Sequence, residues 1–131
     1  MQLSDAEWIV MNLIWDSQRA EASDVIAALA ADNGWSDATV KTMLHRLVKK
    51  GALTTEQIGK KYRYTAAVRQ SACVRKASRS FVDRVFGGDA APALLHLVKH
   101  ATLREDDLIE LRQLLETKSK SKTIRNKGSK E

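Results

Sequence analysis

The chain has 131 residues, of which 44% are hydrophobic and 29% charged, with a formal net charge of +6 and a single cysteine, Cys73. These values suit a soluble globular protein of one ordinary domain or two small lobes. They exclude an internal disulfide framework and a multi-cysteine zinc site, and no apolar run approaches the ~20 residues that span a bilayer.

The opening "MQLSDAEW" lacks the basic start and long apolar run of a secretory signal, so a cytoplasmic location without membrane insertion is expected. A first helix begins there. Ser4 is placed to cap it, Glu7 completes a capping box, and Leu3 can staple against Trp8. "WIVMNLIW" is apolar on nearly every side, which predicts a central helix, and "DSQRAEAS" breaks the pattern. A second helix is predicted from about Ser23 to Asp32, with Val25, Ile26 and Leu29 inward. Asn33-Gly34 supplies its left-handed stop.

Ser36 caps a third helix, which Gly51 ends. Val40, Met43, Leu44, Leu47 and Val48 form its apolar stripe, while Thr39, Lys41, Thr42, His45, Arg46 and Lys49 occupy the opposite face. Two strand-like runs follow, "ALTTEQI" and "YRYT", separated by "GKK", as in a β-hairpin. Three helices and a two-stranded ribbon, with the short "NGWS" link before the third helix, are the order of a winged helix-turn-helix. Trp8, Trp15 and Trp35 lie at capping or apolar-face positions and are expected in the core.

Charge is sorted along this first half. Before Val40 there are seven acids against one base, Arg19; from Lys41 to Arg63 there are seven bases against one acid, Glu56. Such a cationic block points to a polyanion as partner.

From about Arg69 the pattern is helical again: "ACVRKASRSFVDRVF" runs into Gly87-Gly88, then "APALLHLVKH" follows with Asp89 as its cap and Pro92 in its first turn. A last helix starts near Thr102 or Arg104, with Thr102 and Glu105 as a candidate capping box, and runs to Glu116. Residues 117–131 are rich in Lys and lack apolar periodicity, which predicts a basic disordered tail. The three short helices carry many large apolar residues: Phe81, Val85, Phe86, Leu94, Leu95, Leu97, Val98, Leu108, Ile109, Leu111, Leu114 and Leu115. A lobe this small buries too little surface to be comfortably stable alone. Packing against an identical lobe in a two-fold dimer is the expected solution; folding back on the first lobe is the other.

"LSDAEWIVMNLIW", "WSDATVKTMLHRLVKKGAL", "GKKYRYT" and "SFVDRVFGG", in that order, resemble the penicillinase-repressor family, the BlaI/MecI type of bacterial transcriptional repressor. The similarity covers nearly all but the last 15 residues or so. It implies a mainly α fold with a small β-hairpin: a winged-helix DNA-binding domain over 1–68 and a helical dimerisation domain over 69–116. The expected partners are double-stranded operator DNA and a second copy of the chain.

On that reading the third helix enters the major groove, with Lys41, Thr42 and Arg46 as principal contacts beside Thr39 and His45. Lys49 and Lys50 at its end, and Lys60 and Lys61 at the wing tip, are expected on phosphates. Tyr62 and Tyr64 share a strand face and are expected to pack. His45 stands where asparagine is common in the family, so the operator sequence is not carried over. A histidine there can make affinity fall as pH rises through its titration.

The family's proteolytic inactivation, triggered by a membrane sensor, aligns with His96-Leu97, where the family's asparagine is missing. A sensor-controlled protease is thus a candidate partner. The copper-responsive branch uses a C-terminal cysteine cluster, which this chain lacks. His96 and His100, spaced i, i+4, are read as interface histidines, and no metal or other cofactor is expected. No phosphate-binding glycine loop, nucleophile motif or carboxylate pair suggests an enzyme, and Asp106-Asp107 suit a helix start. The competing reading is a winged helix that binds protein and does not read DNA.

Overall fold

A computed structural model describes residues 1–121, and it divides into two compact units, Met1–Phe81 and the residues from Val82 onward. The division lies inside a helix, well past the 68/69 boundary expected from sequence. Trp15 Nε1 donates to Val68 O (2.9 Å) and Gln70 Nε2 to Asn12 Oδ1 (3.4 Å), which ties residues 68–70 to α1 of the first unit.

In the first unit, α1 (Asp5–Ser17) starts as the sequence predicts. Ser4 Oγ accepts from Glu7 N and the Glu7 carboxylate accepts from Ser4 N, which satisfies two of the free amides at the helix start. Gln18 turns the chain out of α1 with φ of 73°, and Arg19–Glu21 then form a strand, β1. The next helical stretch comprises α2 (Ala22–Val25), a π-helical turn (Ile26–Ala30) and α3 (Ala31–Asn33). Gly34, at φ of 66°, closes it.

The predicted third helix is α4 (Asp37–Lys50). Ser36 Oγ accepts from Thr39 N at its start, and Gly51, at φ of 85°, ends it, a left-handed position that a side chain would strain. β2 (Leu53–Ile58) and β3 (Lys61–Ala66) form the hairpin around Gly59-Lys60.

The sheet has three strands in the order β1-β3-β2, all antiparallel, where the sequence suggested a two-stranded ribbon. β1 is too short to show a period-2 pattern; its pairing of Ala20 with Tyr64 brings a buried alanine against the core. That core is Val10, Met11 and Ile14 of α1, Val25, Ala30, Leu53, and the stripe Val40, Met43, Leu44 and Leu47 of α4, all buried. Trp15, Trp35, Tyr64 and Ala66 pack on it, and Trp8 stacks at a tilt on Trp15 (5.9 Å between ring centres).

Helix α5 (Gln70–Phe86) carries the chain from the first unit into the second, which adds α6 (Ala90–His100) and α7 (Glu105–Ser119). Asp89 caps α6 through Ala91 N (3.3 Å), as expected. The start of α7 differs from the Thr102–Glu105 box: Arg104 is the capping position, and the Asp107 carboxylate accepts from Arg104 N (3.0 Å). Thr117–Ser119, expected in the tail, belong to α7, while residues 122–131 of that expected tail lie outside the described residues.

Buried apolar surface is scarce in the second unit. Ala93 is buried, while Val85, Leu94, Leu95, Leu97, Val98, Ile109, Leu114 and Leu115 are exposed in the single chain; Phe86, Leu108 and Leu111 are half-buried. No helix among the described residues is long and apolar enough to cross a membrane.

Candidate nucleic-acid interface

The apolar stripe of α4 fixes which side of the helix meets solvent. With Val40, Met43, Leu44 and Leu47 buried, helical geometry turns Thr39, Lys41, Thr42, His45, Arg46 and Lys49 outward, and all six are exposed. Thr39 has a local duty as well: its Oγ1 lies 2.9 Å from Ser36 Oγ, so the cap occupies its hydroxyl. Thr42 and His45 carry no such tie, and Lys49 and Lys50 in the last turn oppose the negative end of the helix dipole.

The seven cations of the basic block are not equivalent. Lys50 Nζ lies 2.6 Å from Glu7 Oε1 and donates to Gln2 O (2.9 Å). Lys61 Nζ is 3.8 Å from Glu21 Oε2, and an Arg63 guanidinium nitrogen is 3.6 Å from Glu56 Oε1. Among the described residues, Lys41, Arg46, Lys49 and Lys60 have no acid partner, so their charge is fully available to a polyanion. Lys50, expected on a phosphate, is paired with Glu7 of α1 in the free chain.

Sequence reasoning missed the acids that make this selection. Glu7 is only 4% exposed, and its carboxylate serves both the α1 capping box and Lys50. Burial alone would raise its pKa; the hydrogen bonds from Lys50 and Ser4 outweigh that and hold it below its ordinary value. A separation of 43 residues leaves no local signal for this pair. Glu21 reaches Lys61 because β1 joins the sheet, a strand the sequence did not reveal.

The two tyrosines divide. Tyr64 packs on the core, and burial, with a smaller push from neighbouring Tyr62, raises its phenol pKa. Tyr62, expected to pack, is 50% exposed beside Gln57 on the wing, where the core no longer reaches.

In the second unit, His96 and Leu97 lie within α6 and are exposed. The His96 and His100 rings are 4.5 Å apart, and His96 lies 6.3 Å from the Phe86 ring. No group of three or more His, Cys, Asp or Glu among the described residues is arranged to hold a metal ion. Cys73 is a half-buried free thiol on α5.

Comparison with known proteins adds to this geometry. A sequence profile described as "Penicillinase repressor" matches residues 3–117. The penicillinase repressor of Bacillus licheniformis is 36% identical over 115 residues, covering 88% of this chain and 90% of that protein. The methicillin resistance regulatory protein MecI of Staphylococcus aureus (strain N315) is 33% identical over 117 residues, covering 89% and 95%. The solution structure of the DNA-binding domain of the repressor BlaI is similar with a TM-score of 0.50 and 41% identity, covering 53% of this chain and 85% of that one. The chain is therefore a member of the penicillinase repressor family: a winged-helix, DNA-binding transcriptional repressor and not an enzyme.

Proposed function

We propose that the chain acts as a homodimer that places two α4 helices in successive major grooves of a palindromic operator and so blocks transcription. The observation that carries this reading is the outer face of α4, where Lys41, Arg46 and Lys49 are exposed and, among the described residues, free of acids beside Thr42 and His45. An α-helix fits the major groove. Arg46 is suited to a guanine edge, Thr42 to a thymine methyl, and Lys41 to either a base edge or a phosphate. Lys49 and Lys60 take phosphates, and Lys61 joins them when it leaves its 3.8 Å pair with Glu21.

Support for the dimer comes from the second unit, whose leucines and valines on α6 and α7 are exposed in one chain and need a cover. A two-fold partner supplies it, and two-fold symmetry in the protein calls for a palindrome in the DNA. The site of action is then the cytoplasm. Relief follows from loosening the second unit, because each half-site loses the effective concentration supplied by the other. Cleavage at His96-Leu97 by a sensor-controlled protease is one route, and it requires α6 to unwind locally, since the bond lies inside the helix.

The test is a salt series of binding to a duplex recovered by this protein from a random library, with a scrambled duplex as control. The intact chain is compared with a Lys41→Ala, Arg46→Ala double variant. A preference of roughly 10³ or more, lost in the variant, supports the reading. Equal, weak binding of both duplexes by the intact chain overturns it in favour of a protein-binding winged helix.

A further inference from the structure

We propose that Glu7 and Lys50 form a clasp that positions the DNA-reading helix, and that Lys50 is a positioning residue, not a phosphate contact. The inference rests on the DNA reading above. Glu7 stands in the first turn of α1 and Lys50 is the last residue of α4, so each charge already opposes the dipole of its own helix end. One carboxylate oxygen, Glu7 Oε1, accepts from both Lys50 Nζ (2.6 Å) and Ser4 N (2.8 Å), while Lys50 Nζ donates also to Gln2 O (2.9 Å). The start of α1, the segment before it and the end of α4 thus meet at one ammonium group.

The rest of α4 is held by a stripe of Val40, Met43, Leu44 and Leu47. Apolar contact has no direction of its own, and the buried stripe ends at Leu47, one turn short of the end of the helix. The clasp has direction, and it fixes the end of the helix whose outer face carries Arg46 and Lys49. Moving Lys50 to a phosphate would leave the Glu7 carboxylate buried and unpaired, which is strongly unfavourable. Lys49, one residue earlier and free of any acid among the described residues, can reach a phosphate without that loss.

The test uses the full chain, the library-recovered duplex and its scrambled control, at temperatures well below each variant's unfolding. Removing a phosphate contact lowers the slope of log affinity against log salt by about 0.9. Lys49→Met is expected to do that and to weaken both duplexes alike. Lys50→Met and Glu7→Gln are expected to keep the wild-type slope, yet to lose roughly tenfold of the preference for the recovered duplex, a loss on the scale of one displaced base contact. Lys50→Arg should restore the preference. A milder variant, Glu7→Asp, withdraws the carboxylate by one methylene, keeps the charge, and should show the same loss at an unchanged slope.

A slope reduced by Lys50→Met as much as by Lys49→Met would make Lys50 a phosphate contact and overturn the clasp. Preference unchanged in every folded clasp variant would make the pair a stability device only, and would overturn the positioning role as well. Failure of the DNA reading looks different: the wild type then shows no preference, and the Lys41→Ala, Arg46→Ala variant behaves like it.

Discussion

Trp15 and Val68 are joined by a hydrogen bond from the indole Nε1 to the backbone carbonyl at 2.9 Å, across 53 residues of sequence. It anchors the chain leaving the wing to the central helix α1. Trp15→Phe keeps most of the apolar contact and removes the donor. The expected cost is about 1 kcal/mol, read as a lower denaturant midpoint with an unchanged slope. The DNA preference should stay as it is, because neither residue belongs to the outer face of α4.

Ser36 ties the start of α4 through its hydroxyl, which accepts from Thr39 N at 3.1 Å. Ser36→Ala is expected to destabilise the first unit by about 1 kcal/mol, while Ser36→Asp retains most of the stability. Thermal melts of the two variants separate the capping role from simple loss of a polar side chain.

On the wing, Lys60 has no acid partner among the described residues and Lys61 lies 3.8 Å from Glu21. Lys60→Ala should weaken binding to every duplex alike and lower the salt slope by about 0.9. Its preference between recovered and scrambled duplexes should be unchanged. A loss of preference would mean that the wing reads sequence.

Acid should weaken the first unit through Glu7. Its folded-state pKa lies below the ordinary 4.5, since the bonds from Lys50 and Ser4 outweigh the upward push of burial. A depressed carboxylate contributes stability that is present above pH 4.5 and is lost as pH falls through the folded value. Unfolding midpoints measured from neutral pH downward should therefore fall below about pH 4.5. Glu7→Gln should flatten that fall and begin from lower stability at neutral pH.

Leu95 and Leu115 are each 62% exposed in the single chain. Glu at both positions should leave helical content intact, because neither side chain is buried within one copy. If the chain dimerises as proposed, sedimentation should report a dimer for the wild type and a monomer for this variant. Affinity for a full palindrome should fall by ~10²–10⁴, the gain that linking two sites confers. Affinity for a single half-site should hardly change.

Long periodic segments were legible in the sequence for a physical reason: α1, α4 and α5 bury or project whole stripes, and the caps at Ser4 for α1, Ser36 and Gly51 for α4 and Asp89 for α6 are local chemistry. β1 was not legible. Three residues carry no period, and Arg19–Glu21 become a strand only through their pairing with Arg63–Thr65. The start of α7 was misplaced because Thr102 and Glu105 match the capping-box pattern, whereas Arg104, whose guanidinium cannot accept a hydrogen bond, gives no such signal; only the Asp107 carboxylate, accepting from Arg104 N, marks the true start. The outer face of α4 followed from the apolar stripe alone. Which cations on it and near it stand free did not, since Glu7, Glu21 and Lys50 meet their partners only after the chain has folded.

The acids of the sheet have a consequence for how such a protein is distributed in a cell. Glu21 and Glu56 hold Lys61 and Arg63 by loose pairs at 3.8 and 3.6 Å, on strands and not on α4. On the DNA reading proposed above, they should lower the attraction to any stretch of chromosome while leaving base discrimination untouched. Fewer copies are then stranded on the ~10⁶ or more competing sites of a genome. Tightness of hold and choice of target thus reside in separate residues, and substitutions at Glu21 or Glu56 offer a way to retune occupancy without altering which genes are silenced.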